Sequence, residues 1–270
     1  MIYRLRVPRP PLSHFIENLW FYSGLDPDHS KEKLLPNAAV ELIIDLTDWP
    51  KKLYEARDLR QPKSYRRCWI SGMHRRFIVI GTDKGSSMMG AHFRTGGAAP
   101  FLGFPLTELT GNVVELDAIW RRDILALRER LLEAATIDAK FDLLEAFLFE
   151  RARNRLEVDR TVGAALNALR RWPVLSLRQL ASDLGTSQKG MIASFQRRVG
   201  VGPKFVGRLF RFQTALAAAS APDRDWAHVA LDCGYYDQPH LIHEFQEFAG
   251  VTPAVYARTR SEFPDYIPVD

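Results

Sequence analysis

The strongest constraint in this sequence is a helix-turn-helix pattern that occurs twice toward its C-terminal end. The first copy begins at Ser176, and Gln179 follows at capping-box spacing, which lets two side chains satisfy free N–H groups at a helix start. Apolar residues at helical spacing give this helix one buried face: Leu177, Leu180, Ala181 and Leu184. Gly185 can end it in the left-handed conformation, and Ser187 can cap the next helix.

The second helix of this copy separates apolar from polar side chains. The side chains expected to point inward are Met191, Ile192, Phe195 and Val199. Those expected to face outward are Gln188, Lys189, Ser194, Arg197 and Arg198. A polar and cationic helix face suits the major groove of DNA, while the apolar face packs on the preceding helix. Gly200 is expected to end the helix.

The second copy has the same order of elements. Residues 226–231 predict a short helix with an apolar face, and 233–237 supply the turn. Asp237 can cap the following helix, and Pro239 falls in its first turn, where the missing N–H costs nothing. The residues expected inside are Leu241, Phe245 and Phe248. Those left for solvent or a partner are Gln238, His240, His243, Glu244 and Gln246.

A long helix is predicted between the two copies, over 205–219. Its apolar face consists of Leu209, Phe212, Leu216 and Ala219. A single helix-turn-helix pattern is a weak signal, because any packed helix pair has a turn glycine and an apolar interior. Two copies joined by a helix are more specific, since the helix would hold them at a fixed spacing.

The second copy resembles the AraC/XylS family of bacterial regulators. The resemblance rests on Gly234-Tyr-Tyr-Asp-Gln-Pro-His240, Phe245, Gly250-Val-Thr-Pro253 and Tyr256. The first copy matches at Leu180, Ala181, Ser187, Phe195, Gly200, Pro203, Phe205, Arg211 and Ala215. The resemblance implies a sequence-specific DNA-binding transcription regulator. Its recognition helices, at 188–199 and 239–248, would enter successive major-groove segments on one face of the DNA.

The N-terminal region predicts an antiparallel β domain followed by two helices. Short apolar runs cut by turn residues indicate strands at 40–46, 77–80 and 88–93, with a hairpin loop at 81–85. Helical spacing then indicates two amphipathic helices through Ile119, Ile124, Leu127, Leu131, Phe141, Leu144, Phe147 and Leu148. From Thr161 onward the sequence predicts helices only.

The same region is similar to a cupin-like sensor domain that a subset of these regulators carries. The matching segments are Leu35-Pro36, Glu41-Leu-Ile43, Phe93-Arg-Thr-Gly-Gly-Ala-Ala-Pro100 and Leu106-Thr-Glu-Leu-Thr110. The resemblance implies a role in ligand sensing or dimerisation. We therefore expect an α+β fold, with a β-rich sensor or dimerisation domain and linker helices at 1–155. An all-α double helix-turn-helix domain is expected at 159–260.

The candidate DNA-contacting residues are Ser187, Gln188, Lys189, Ser194, Arg197, Arg198, Gln238, His240 and His243. Base reading is expected chiefly from Lys189, Gln238 and His240, and phosphate binding from the cationic side chains. Two positions depart from the family: Ala193 stands where a basic residue is usual, and His243 replaces an arginine. A neutral imidazole cannot copy the bidentate contact of arginine to guanine. Each charged candidate could instead be an ordinary solvated side chain.

Charge and cysteine content fit this interpretation. A net charge of +5 favours an anionic partner. Two cysteines are too few for a disulfide framework, and no signal peptide or apolar run of the ~18–20 residues needed to span a bilayer is present, so a cytoplasmic location is expected. The expected partner is double-stranded DNA. A small-molecule effector, RNA polymerase and a second copy of the chain are further candidates, and neither a membrane nor a cofactor is expected.

Two other classes of function remain open. One is a cupin-type enzyme, metal-dependent or metal-free, with a helical accessory domain; no catalytic residue is assigned. His14, His29, His74 and His92 show no His-x-His pair, which argues against a metal-dependent oxygenase. The other is a protein-interaction module that has kept the helical fold but lost DNA binding.

Single groups also have alternative interpretations. His240, His243 and Glu244 lie about a helical turn apart, but without a paired-His or paired-Cys motif we expect no metal there. Cys233 is interpreted as a packing residue rather than a redox sensor. Five aromatic residues could line a pocket or form the β-domain core, and we favour the core: Trp20, Tyr22, Trp49, Trp69 and Phe93.

Overall fold

The computed structural model describes residues 1–55, 58–219, 225–261 and 263–269. Strands dominate its N-terminal part and helices its C-terminal part, so the predicted α+β class is confirmed. The strands are β1 (Ile2–Arg6), β2 (Ile16–Ser23), β3 (Lys31–Leu34), β4 (Glu41–Asp45), β5 (Lys51–Glu55), β6 (Asp58–Tyr65), β7 (Cys68–Ser71), β8 (Ile78–Gly81), β9 (Ser87–Phe93), β10 (Val113–Glu115) and β11 (Tyr266–Val269).

The strands form two antiparallel sheets. The six-stranded sheet has the order β1-β2-β9-β4-β7-β10, and the five-stranded sheet has the order β11-β3-β8-β5-β6. In β4, Leu42 and Ile44 are buried while Glu41 and Ile43 are half-buried, so the two faces of this strand meet different surroundings. The three strands predicted from the sequence are confirmed as β4, β8 and β9.

The hairpin predicted at 81–85 is wrong. β8 pairs with β3 and β5 in the five-stranded sheet, whereas β9 pairs with β2 and β4 in the six-stranded sheet. The chain does turn here, with Gly85 at a φ of +74°. Turn residues indicate where a chain bends, but the partners of a strand depend on distant segments, and this turn carries the chain from one sheet to the other.

The two amphipathic helices predicted after the strands are present, and they pack against the six-stranded sheet. The helices of this part are α1 (Ala99–Leu102), α2 (Asp117–Trp120), α3 (Arg122–Glu133) and α4 (Ile137–Ala152), with 3₁₀-helices at Leu12–His14 and Leu106–Glu108. Ile124 and Leu127 of α3 and Leu144 of α4 share one buried cluster with Leu42 and Ile44 of β4. Burying an aliphatic side chain of this size stabilises the fold by about 1.5–3 kcal/mol.

The C-terminal part consists of seven helices within the described residues. They are α5 (Arg160–Arg171), α6 (Leu177–Asp183), α7 (Gln188–Val199), α8 (Pro203–Ala218), α9 (Trp226–Asp232), α10 (Gln238–Ala249) and α11 (Pro253–Thr259). Side-chain oxygens accept a first-turn N–H at the start of six of them: Asp159, Ser176, Ser187, Asp225, Asp237 and Thr252. Each such cap contributes about 1 kcal/mol. The helix predicted at 205–219 is confirmed as α8.

The prediction that only helices follow Thr161 is wrong at the last strand. β11 pairs with β3 at the edge of the five-stranded sheet, with Ile267 opposite Lys33. Ile267 is 3% exposed and packs in a cluster that contains Leu35 and side chains of the C-terminal helices. The N–H of Leu35 also donates to the carbonyl of Asp265 at 2.8 Å. The end of the chain therefore ties the helical part to the β part.

The five aromatic residues named above do not share one environment. Phe93 and Trp69 are buried, in agreement with a core role, while Trp49 is 43% exposed. Trp20 and Tyr22 are half-buried and stack with ring centroids 6.0 Å apart.

Both cysteines are buried free thiols. Burial raises the pKa of Cys68 to about 12 and also raises the pKa of Cys233. Since the thiolate is the reactive form, this supports the interpretation of Cys233 as a packing residue. Across the described part of the chain, no helix combines the length and the apolar character needed to cross a membrane.

Ile267→Ala is expected to lower the free energy of unfolding by about 2–5 kcal/mol, because it leaves a cavity between β11 and the helices. The matched control is Ile2→Ala on the edge strand β1, where the side chain is 55% exposed. The control should change stability by no more than about 0.5 kcal/mol. Urea denaturation followed by circular dichroism measures both, and equal effects would show that β11 does not stabilise the fold.

Candidate nucleic-acid interface

The first helix-turn-helix unit consists of α6, a turn and α7. Gly185 adopts a φ of +66°, and the N–H of Thr186 donates to the carbonyl of Ala181 at 2.9 Å, which closes α6. Met191 and Phe195 of α7 are buried in the core cluster. At Ser176 only half of the predicted capping box forms, because the side chain of Gln179 donates to Asp183 instead.

The outer face of α7 carries most of the side chains that the sequence assigned to it. Gln188, Lys189 and Arg197 are exposed, and Ser194 is half-buried. Ser187 uses its hydroxyl oxygen to accept the N–H of Gly190 at 3.0 Å, so it orders the start of the helix. The exposed N-terminal end of α7 therefore presents one cation and one amide.

Arg198 points away from the exposed end of α7. Its Nε lies 3.7 Å from the carboxylate of Asp159, and its side chain is 33% exposed. Asp159 is also the cap of α5, since it accepts the N–H of Val162 at 3.0 Å. The guanidinium is thus directed toward the start of α5, and a DNA contact by Arg198 stays a prediction.

The second unit consists of α9, a turn and α10. Asp237 caps α10 by accepting the N–H of His240 at 2.8 Å. The Nδ1 of His240 in turn accepts the N–H of Tyr236 at 3.3 Å, so in the neutral ring the proton is assigned to Nε2. Gln238 is half-buried at the start of α10, and His243 is exposed one turn further on. His240 Nε2–H is therefore available as a donor.

The expectation that Glu244 faces solvent or a partner is wrong. Glu244 is 3% exposed, and Arg211 of α8 binds its two carboxylate oxygens at 2.8–3.0 Å. Arg208 adds a bond to Glu244 at 2.7 Å and one to Glu247 at 2.6 Å. The sequence contains one clue to the ion pair with Glu244. Arg208 and Arg211 lie three residues apart, so both cations face the same side of the joining helix. Metal binding by His240, His243 and Glu244 is therefore not supported.

Aromatic packing joins α8 to α10 beside this ion pair. The ring of Phe212 lies 5.1 Å from that of Phe245 and 4.9 Å from that of Phe248, measured between centroids. All three residues are fully buried. Since α8 follows directly on the first unit, these contacts fix the second unit relative to the first.

The β domain contacts both α7 and α10 at their C-terminal ends. Gly200 ends α7 at a φ of +95°, and the Thr110 hydroxyl donates to its carbonyl at 2.8 Å. A Cβ at Gly200 would lie 2.6 Å from Thr110 Oγ1, so only glycine fits this approach. At the end of α10, the N–H of Phe77 donates to the carbonyl of Phe248 at 2.8 Å. The N-terminal ends of both helices are left free of these contacts.

A polar cluster lies where the β domain meets the C-terminal tail. Glu41 accepts a hydrogen bond from Trp20 Nε1 at 3.1 Å and is hydrogen-bonded to His92 Nδ1. Burial lowers the pKa of His92, but the Glu41 carboxylate outweighs it and the net pKa is raised. Burial also raises the pKa of Asp265, which lies next to this pair. Within the described ranges, no three His, Cys, Asp or Glu side chains converge on a metal-binding geometry.

Comparison with protein families matches the two parts of the chain separately. Residues 5–115 match a domain of unknown function (DUF6597), and residues 180–259 match a helix-turn-helix domain. No curated protein sequence matches the chain.

The chain is also similar to several solved structures, at low sequence identity and low TM-score. ToxT from Vibrio cholerae is 10% identical, with 96% of this chain and 98% of that chain covered and a TM-score of 0.47. A probable AraC family transcriptional regulator from Rhodopseudomonas palustris is 21% identical, with 37% and 96% covered and a TM-score of 0.34. A DNA-binding transcriptional dual regulator from Escherichia coli K-12 is 19% identical, with 37% and 92% covered and a TM-score of 0.34. With TM-scores below 0.5, these likenesses carry no argument about this chain.

Glu244→Leu is expected to lower the free energy of unfolding by about 3–5 kcal/mol, because it leaves the Arg211 guanidinium buried and unpaired. The double variant Arg211→Met with Glu244→Leu should recover most of that loss, since no buried charge remains. Glu247→Leu is the matched control, because this carboxylate is 47% exposed and its pair with Arg208 is worth about 0–1 kcal/mol. Guanidinium denaturation measures all three, and a double variant as unstable as Glu244→Leu would contradict the explanation.

Proposed function

We propose that this chain is a DNA-binding transcription regulator and that it reads DNA with two helices, α7 and α10, of its helix-turn-helix domain. The observation that carries this proposal is the common orientation of their ends. Both helices meet the β domain at the C-terminal end, whereas the N-terminal end is exposed at Gln188 and Lys189 of α7 and partly exposed at Gln238 and His240 of α10. Recognition helices contact base edges with their N-terminal residues, in major-groove segments about 34 Å apart.

We assign base reading to Lys189, Gln238 and His240. Lys189 is an exposed cation that can donate to guanine, and an amide such as that of Gln238 pairs with adenine. His240 offers its Nε2–H, because its Nδ1 is already bonded to the turn. Phosphate binding falls to Arg197 and to the helix N-termini, whose free N–H groups attract anions.

The remaining predicted contacts have smaller roles in this proposal. Ser187 and Gln188 order and flank the start of α7, and Ser194 lies half-buried on its outer side. His243 is exposed and can add one donor, without the bidentate contact of an arginine. Arg198 would have to leave Asp159 to reach DNA.

We also propose how the two parts of the chain divide the work. Residues 1–155 would form a sensor or dimerisation domain and residues 159–260 the DNA-binding domain. A small-molecule effector that binds one conformation of the β domain more tightly would change DNA occupancy through the contacts at Thr110 and Phe77. A second copy of the chain and RNA polymerase are the further partners that this function calls for, and enzymatic turnover is not part of it.

The test is selection of bound sequences from a random duplex pool with the full chain, at low and at near-physiological salt. A recovered motif with two half-sites about one helical turn apart supports the proposal. Salt-sensitive binding without a motif would contradict sequence-specific reading. No binding at all would favour a protein-interaction module.

Lys189→Ala combined with Gln238→Ala is expected to reduce the preference for the selected duplex over a scrambled one by about 2–6 kcal/mol, because two base contacts are lost. The matched control is Lys52→Ala with Gln61→Ala, which removes the same two residue types from exposed positions on β5 and β6. Fluorescence anisotropy on both duplexes measures the preference, and circular dichroism checks the fold. An unchanged preference in the first variant would show that the residue assignment is wrong.

A further inference from the structure

The turns of the two helix-turn-helix units differ by one residue. In the first turn, Gly185 adopts the left-handed conformation, and the N–H of the next residue, Thr186, donates to the carbonyl of Ala181. In the second turn, Gly234 is left-handed at a φ of +79°, and the N–H of the next residue, Tyr235, donates to the carbonyl of Ala230 at 2.8 Å. The two turns are therefore equivalent up to Thr186 and Tyr235.

The equivalence ends at the residue that follows. Ser187 comes directly after Thr186 and caps α7, whereas Tyr236 stands between Tyr235 and the cap of α10, Asp237. Tyr236 is therefore an extra residue in the second turn. It occupies the position immediately before the start of the recognition helix.

The extra residue displays its ring to solvent on a fixed backbone. Tyr236 is 86% exposed, the highest value among the exposed large hydrophobic residues of the described chain. Its N–H is held by His240 Nδ1 at 3.3 Å, and the neighbouring Asp237 is held by its capping bond. Tyr235, by contrast, is 3% exposed and packs in the core. Tyr235 therefore belongs to the core, whereas Tyr236 lies outside it.

We propose that Tyr236 is a further DNA-contacting residue, which binds the sugar-phosphate backbone at the edge of the groove that α10 enters. The inference rests on the proposed function. A residue just before a recognition helix lies beside the DNA backbone when the helix N-terminus lies in the groove. The phenol hydroxyl then donates to a phosphate oxygen, and the ring packs on deoxyribose. Such a contact supplies affinity and position and carries no base information.

The hydrogen bond from Tyr236 to His240 connects this contact with base reading. The backbone N–H of Tyr236 occupies His240 Nδ1, which leaves Nε2–H of the same ring as the donor toward DNA. The ring of His240 also lies edge-on to Tyr235, 5.3 Å between centroids. In the proposed complex, the turn would therefore direct the Tyr236 hydroxyl toward the DNA backbone and His240 Nε2–H toward the bases.

The test compares Tyr236→Ala and Tyr236→Phe with the unaltered chain on the selected duplex and a scrambled one, by fluorescence anisotropy. Tyr236→Ala is expected to weaken binding to both duplexes by the same factor, about 10-fold or more, because a hydrogen bond to a charged group is lost. Tyr236→Phe should also weaken binding to both duplexes, since the hydroxyl is the donor, but by a smaller factor, because its ring still packs on deoxyribose. The motif recovered from a random pool should stay unchanged.

Tyr3→Ala is the matched control, because this tyrosine is 47% exposed on β1 of the β domain, and its binding is expected to be unchanged. Thermal unfolding of Tyr236→Ala should match that of the unaltered chain. If Tyr236→Ala binds both duplexes as tightly as the unaltered chain, this inference is overturned while the proposed function stands. A loss confined to the selected duplex would make Tyr236 a base reader and would also overturn it. Failure of the unaltered chain to bind any duplex would overturn both.

Discussion

The buried ion pair between Arg211 and Glu244 is the contact on which the arrangement of the helical region depends. The two side chains are only 8% and 4% exposed, and an unpaired charge at such a depth would cost several kcal/mol. A rotation of α10 about its axis would separate them, so the orientation that keeps the pair is strongly favoured. Because α8 carries Arg211 and follows directly on the first unit, this pair also sets the second recognition helix relative to the first.

The β domain adds a second constraint, at the C-terminal ends of α7 and α10. Gly200 ends α7 against Thr110, and Phe77 binds the last turn of α10 through the carbonyl of Phe248. The C-terminal strand β11 then returns to the five-stranded sheet. A displacement within the β domain at these points would reach both helices, because the contacts are direct hydrogen bonds. The proposed regulation of DNA binding by the N-terminal part would therefore have a short physical route.

The free ends of the recognition helices carry few formal charges. Lys189 and Arg197 are exposed, but Arg198 lies beside Asp159, and the second helix offers an amide and two imidazoles. In the proposed complex with DNA, helix N-termini and backbone N–H groups would then supply much of the attraction for phosphate. An interface of this kind depends on the placement of its donors more than on charge, which is why the rigid contacts behind it matter.

The sequence by itself determined the local features: the caps at Ser187 and Asp237, the left-handed glycines, and the apolar faces of α7 and α10. These features follow from spacings of a few residues, and the exposure of Lys189 could be predicted in the same way. Only the tertiary structure decided the burial of Glu244, the separation of β8 from β9 into different sheets, and the pairing of β11 with β3. Each of these depends on a partner far away in the chain, and a helical period or a turn signal contains no information about which distant group a residue will meet.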